Sequence, residues 1–252
     1  MPYRDCIDSN CDGCTQIDSV RDDTEFADIV AQALRNHPAA PPRRRPSLSN
    51  TLQGNLCEFC VWDIGERFWH LYKKKFTWPA NASNPWDRRQ SNPGIDILAL
   101  TSVVGDEPIV FVIEVKSSSH GGSGAIVGDG GSLQADFKRL MSGVDDVQTK
   151  LQIRAGALVS DLILQNERPD LAEKVNKAVG SSPDNCHGVK LIGVMVCKRG
   201  NTYSQSTRLT HFQELQAWLL SQGWKDEQIE CHSIEIGDFS EWLGEVIERA
   251  IL

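Results

Sequence analysis

The chain has 252 residues, a formal net charge of −8 and a mean hydropathy of −0.33, which suits one larger domain or one domain with a small extension. No apolar run approaches the roughly 18 residues of a membrane span, and the N-terminus lacks the hydrophobic stretch of a signal peptide, so a cytoplasmic protein with no membrane partner is expected. The acidity excludes a protein that coats nucleic acid by phosphate neutralisation alone, although Arg43-Arg44-Arg45, Lys73-Lys74-Lys75 and Arg88-Arg89 leave room for a local basic groove.

Residues 1–22 are polar and without a clear period. They hold Cys6, Cys11 and Cys14, whose spacing suits a metal but supplies three ligands and no evident fourth; zinc is the minor reading and a mobile segment the main one. From Thr24 to about Asn36, Phe26, Ile29, Val30, Ala33 and Leu34 recur at helical spacing, and His37-Pro38 ends the run. Residues 38–46, rich in Pro and Arg, read as a stiff strap. This divides the chain into an N-terminal extension over 1–46 and a main domain over 47–252.

A long helix is predicted from about Ser49 to Lys74, carrying Cys57 and Cys60 as packing residues and Glu58 and Glu66 as acids. Residues 76–94 are loop-like, and Trp78, Trp86, Arg88 and Arg89 within them suit either base and phosphate contacts or a hydrophobic plug with a polar rim. Ile95–Leu100 reads as a strand, Val104–Pro108 as a turn, and Ile109–Lys116 as a second strand so apolar that both its faces must be buried. The glycine-rich run that follows, to Gly131, lacks the Lys-Ser/Thr of a nucleotide-binding loop and reads as a mobile loop over a site, with His120 in it. Helices are then predicted over 133–166 and 170–179, a buried strand over 189–196 with Cys197 in the core, a helix over 210–221, a strand over 228–236 and a final helix over 239–251. The mixture predicts an α/β protein, a mixed central sheet flanked by helices.

Glu114 and Lys116, two residues apart on the apolar strand, project from the same face. Buried charges of this kind are costly unless they serve a partner, a metal or a substrate. A hairpin centred on Gly105 would place Asp96 opposite Glu114, with Cβ atoms about 5 Å apart, and a slip of one residue would undo this. Two or three oxygens at one point suit Mg²⁺, with Mn²⁺ able to substitute, and such an ion stabilises charge on a phosphodiester oxygen. Lys116 would orient or deprotonate the attacking water or steady the developing charge. An acid-x-Lys triplet is weak by itself, since about one arises by chance in a chain of this length, and Asp136-Phe-Lys138 is a second example on a predicted helix. The plain alternatives are a structural ion pair for Glu114 and Lys116, a capping acid for Asp96 and a solvated helix position for Glu58.

Gly54-Asn-Leu-Cys-Glu-Phe59, Gly94-Ile-Asp-Ile97 and Ile113-Glu-Val-Lys-Ser117 together resemble the motifs of the PD-(D/E)XK nuclease superfamily. The resemblance implies a restriction-endonuclease-like core, with Asp96, Glu114 and a helix acid at the metal and Lys116 as the catalytic lysine. Glu58 is the preferred helix acid, with Glu66 its rival. Within that superfamily, the size and the C-terminal strand and helix resemble the nuclease subunit of the Hachiman antiphage system, which works with a helicase partner. The functional expectation is therefore a Mg²⁺-dependent deoxyribonuclease of antiviral defence, acting on DNA and regulated by a helicase/ATPase. The alternatives are a catalytically silent nuclease-like binding module or a stand-alone restriction-type endonuclease.

Overall fold

The computed structural model describes residues 22–68, 85–86, 95–101, 108–118, 123–144, 148–164, 169–199 and 205–252. The elements in chain order are α1 (Asp23–Asn36), α2 (Asn50–Phe68), β1 (Ile97–Thr101), β2 (Ile109–Ser118), α3 (Leu133–Leu140), β3 (Gly143–Val144), β4 (Gln148–Thr149), α4 (Lys150–Leu164), α5 (Pro169–Ala178), β5 (Val189–Lys198), α6 (Gln205–Ser221), β6 (Ile229–Ile236) and α7 (Phe239–Ile251).

Four strands make the central sheet, in the order β1-β2-β5-β6. β1 runs antiparallel to β2, with Ile97 opposite Ile113 and Thr101 opposite Ile109. β2, β5 and β6 are mutually parallel. Parallel strands need crossover connections, and the covering helices bury both faces. Val110 through Val115 of β2 are accordingly all buried. The protein is thus α/β, with a mixed central sheet flanked by helices.

Side-chain alternation splits the core in two. On the first face Ile97, Ala99, Phe111, Ile113, Val115, Ile192, Val194, Val196, Ile234 and Ile236 pack beneath α1, α2 and α7. On the second face Leu98, Leu100, Val110, Val112, Leu191, Met195, Cys197 and Cys231 pack beneath α3, α4, α5 and α6. Cys57 and Cys60 are buried in the first core, where burial pushes both thiols up and leaves them as inert packing groups. Across the second face, Arg208 of α6 is buried in an ion pair with Glu235 of β6.

The N-terminal helix is part of the first core. Asp22 caps α1 by accepting from the Glu25 N–H at 2.7 Å, and the backbone turns extended at His37, the residue before Pro38. Phe26 stacks on Trp242 of α7 with ring centroids 5.2 Å apart. Asp23 accepts from the Gly237 N–H at 2.8 Å and from Arg199 at 2.9 Å, while its carbonyl accepts from the Trp242 indole at 3.0 Å. One acid therefore ties α1 to the ends of β5 and β6 and to α7.

Two predicted elements differ. The helix expected over 133–166 is broken: α3 ends at Leu140, Gly143 and Val144 pair with Gln148 and Thr149, and α4 begins at Lys150. Ser142 and Gly143 interrupt the apolar stripe and are poor helix formers. The helix expected to reach Lys74 is described as far as Phe68, and residues 69–84 lie outside the described residues. So do Cys6, Cys11, Cys14, Trp78, Arg88, Arg89 and His120.

Removing the Phe26 ring should test how much α1 contributes. Phe26→Ala, at a fully buried position, should lower the unfolding free energy by about 3–5 kcal/mol. In urea titrations the midpoint should fall with an unchanged slope. An unaltered midpoint would show that α1 is peripheral to the cooperative unit.

Candidate active site

β2 ends where the site begins. Glu114 follows Val110 and Val112 on the second face and is 1 % exposed. Asp96 lies one residue before β1, in a bend rather than in the ladder. The β1–β2 register continues to place it level with Glu114, as the hairpin argument predicted. The Asp96 carboxylate takes the place of a backbone acceptor: its Oδ2 accepts from the Val115 N–H at 2.7 Å. That bond extends the ladder by one side chain and holds the 8 % exposed acid beside Glu114.

Each carboxyl acts on the other, and both are raised above the ordinary carboxyl range. Burial is the main cause of both shifts. It pushes Asp96 from 3.8 up to about 6, against the opposing pull of the Val115 N–H and the Lys116 and Arg139 charges. It pushes Glu114 well above the ordinary carboxyl range, helped by the Asp96 charge and, least of all, by Glu58. Glu114 Oε1 is buried without a hydrogen-bond partner among the described residues, an arrangement that is destabilising in an apolar interior.

Lys116, two residues on, has left the fully buried zone. Its side chain is 23 % exposed and its ammonium is ion-paired with Asp136 of α3. Asp136 is 6 % exposed and also pairs with Arg139 one turn along. Among the described residues no ion pair joins Lys116 to Glu114 or Asp96. The plain structural ion pair between Glu114 and Lys116 is thus not formed, and the lysine faces a different acid.

Asp136 belongs to the second acid-x-Lys triplet, Asp136-Phe-Lys138, which as a motif carries no signal. The signal was in the helix pattern instead. Leu133, Phe137 and Leu140 form the buried stripe of α3, and Asp136 shares it. An acid on the apolar face of an amphipathic helix needs a cationic partner from the element beneath it.

Glu58 is placed differently from Asp96 and Glu114. α2 packs on the first face through Leu52, Leu56, Phe59 and Cys60, whereas the other two acids belong to the second. Glu58 is half-buried and close enough to act on Glu114 electrostatically. Even so, among the described residues no three His, Cys, Asp or Glu side chains form a group able to hold a metal ion. The expected convergence of Glu58, Asp96 and Glu114 is therefore not seen, because the helix acid and the strand acids come from opposite sides of the sheet. Glu66 lies on α2, with its side chain outside the described residues.

No family model matches the chain, and no curated protein or solved structure matches it significantly.

Two adjacent carboxyls with one orphaned oxygen fit a small divalent cation. Mg²⁺ takes one or two protein carboxylates and keeps most of its waters, so it does not require a closed protein cage. Asp96 and Glu114 would hold it, and a cation there would offset the burial cost that raises both carboxyls. The upward shift of both carboxyls also bears on stability. In the window between 3.8 and about 6 the folded Asp96 retains a proton that the unfolded chain has lost, so stability falls as pH rises, and Glu114 continues the trend upward. In metal-free buffer, Asp96→Asn should therefore gain stability relative to the parent protein between pH 4 and pH 7, on the order of 1–3 kcal/mol. Paired denaturation curves across that range check it; a difference independent of pH would contradict the buried titration.

Proposed function

We propose that the protein is a metal-dependent deoxyribonuclease that hydrolyses phosphodiester bonds, with Asp96 and Glu114 as metal-holding acids and Lys116 as the catalytic lysine. The observation that carries the reading is the coupled, buried Asp96–Glu114 pair beside a lysine, at the C-terminal end of a central parallel strand. Ligand sites of open α/β sheets favour the region outside those strand ends. A structural role explains the pair poorly, because two adjacent buried carboxyls destabilise the fold that contains them.

The residues divide the work. Asp96 is oriented by the Val115 N–H, which leaves its second oxygen available to a cation. Glu114 supplies the orphaned oxygen. A bound Mg²⁺, or Mn²⁺ in its place, would stabilise charge on the phosphodiester oxygen and lower the pKa of a water. Lys116 would hold the water or the developing negative charge on the phosphate, and Arg139, 61 % exposed, would attract the backbone of an approaching strand. Water adds at phosphorus as the bond to the leaving hydroxyl oxygen breaks. Glu58 remains the proposed helix acid, acting on Glu114 electrostatically.

The net charge of −8 favours a chain that does not grip DNA alone, which is the reason for proposing a DNA-gripping helicase/ATPase partner and a role in cytoplasmic antiphage defence. Among the described residues no helix is long and apolar enough to cross a membrane. A second reading, a silent nuclease-like binding module, is favoured by the pairing of Lys116 with Asp136 and by the lack of a three-carboxylate group among the described residues. Plasmid cleavage with Mg²⁺ or Mn²⁺ decides between them. Glu114→Ala and Lys116→Ala should each lower the rate by about 10²-fold or more. Cleavage that is undiminished in both variants, or absent from the parent protein with either metal, would favour the silent module.

A further inference from the structure

The placement of Lys116 raises a question that the nuclease reading alone does not answer: why the lysine is held by a helix acid and not by the two acids beside it on the sheet. The close approach of α3 has a local cause. Gly193 lies level with Glu114 in the β2–β5 ladder, and a Cβ there would stand 3.2 Å from Leu133 Cδ1. The missing side chain lets the first turn of α3 settle on the sheet. Asp136 is one turn further along the same stripe, and Lys116 is two residues further along β2. The helix thus brings a buried carboxylate onto the ammonium.

Asp136 uses its two oxygens separately. Oδ2 is in ion-pair contact with the Lys116 ammonium, without a formed hydrogen bond, and Oδ1 pairs with Arg139. A buried carboxylate with a single cation would trap that cation, because its departure would strand an unpaired charge. With two, either can leave. Arg139 is largely exposed and fixed to the same helix as Asp136, whereas Lys116 sits at the end of a flexible four-carbon stem and can swing.

We propose that Asp136 is a positioning residue that parks the Lys116 ammonium on α3, and that Arg139 makes the latch reversible by keeping Asp136 paired when Lys116 turns to a substrate phosphate. The last clause rests on the nuclease reading; the latch itself does not. Its consequence is that the resting site keeps the Lys116 ammonium on Asp136 until an anion competes for it. The two members of the cluster should then act in opposite directions, which a merely structural role would not produce.

The test is amine labelling of the full chain by reductive dimethylation, without metal or nucleic acid, followed by peptide mass spectrometry. The rate at Lys116 is normalised to exposed Lys177. Asp136→Asn should raise the Lys116 rate roughly three- to tenfold. Arg139→Gln, a surface change that leaves the fold intact, should lower it, because Asp136 then has only Lys116. Asp136→Glu should restore a slow rate. A Lys116 rate unchanged in Asp136→Asn, or raised in Arg139→Gln, overturns the latch. Because no cleavage is measured, an overturned latch beside plasmid cleavage that is lost in Lys116→Ala removes only the latch. The converse pair of results removes only the nuclease.

Discussion

Glu114 is a carboxyl in the one place where the sheet has least room for it. β2 is one of two strands with neighbours on both sides and helices on both faces, so a side chain there has almost no access to water. Such a group must be neutral, paired or bound to a cation. Several features of the site follow from that constraint. Asp96 sits beside Glu114, and burial raises both carboxyls. Asp96 is itself fastened by a backbone N–H of the same strand. Lys116, two residues further toward solvent, is the first position on that face where a charge reaches the surface.

The two-sided packing that creates the constraint also fixes the geometry. The first core, under α1, α2 and α7, and the second, under α3 to α6, grip the sheet from opposite sides. β2 therefore cannot shift register without turning one core's side chains toward the other. Asp23 extends the grip by joining α1 to β5, β6 and α7 through three polar contacts. Rigid packing of this kind holds acids at a fixed separation, which a metal site requires. The glycine at position 193 is the exception that serves the site, since it opens the space through which α3 reaches Lys116.

Legibility followed the range of each interaction. The β1–β2 register could be read from the turn residues and two apolar runs, because a hairpin is local and the alternation of its side chains is strict. The strand over 189–196 and the final helix were equally plain in the pattern of apolar residues. The break after Leu140 was harder to see, since apolar residues resume at helical spacing beyond it and only Ser142 and Gly143 mark the interruption. Asp136 was visible as a residue but not as a partner. Its sequence neighbours resemble a stray motif, and the lysine it meets lies twenty residues earlier on another element.

The amino-acid sequence by itself determined the alternation of strands and helices, the burial of β2 on both faces and the pairing of Asp96 with Glu114. Each depends on periodicity or on a short turn, and so on residues close together in the chain. Only the tertiary structure decided that Lys116 answers to Asp136, that Glu58 belongs to the opposite face and that the N-terminal helix is part of the core. Those outcomes depend on how helices dock across the sheet, which is set by side-chain volumes at distant positions such as Gly193 and by the need of each buried charge for a partner. No local pattern encodes that need, because the partner is chosen by whichever element packs nearest.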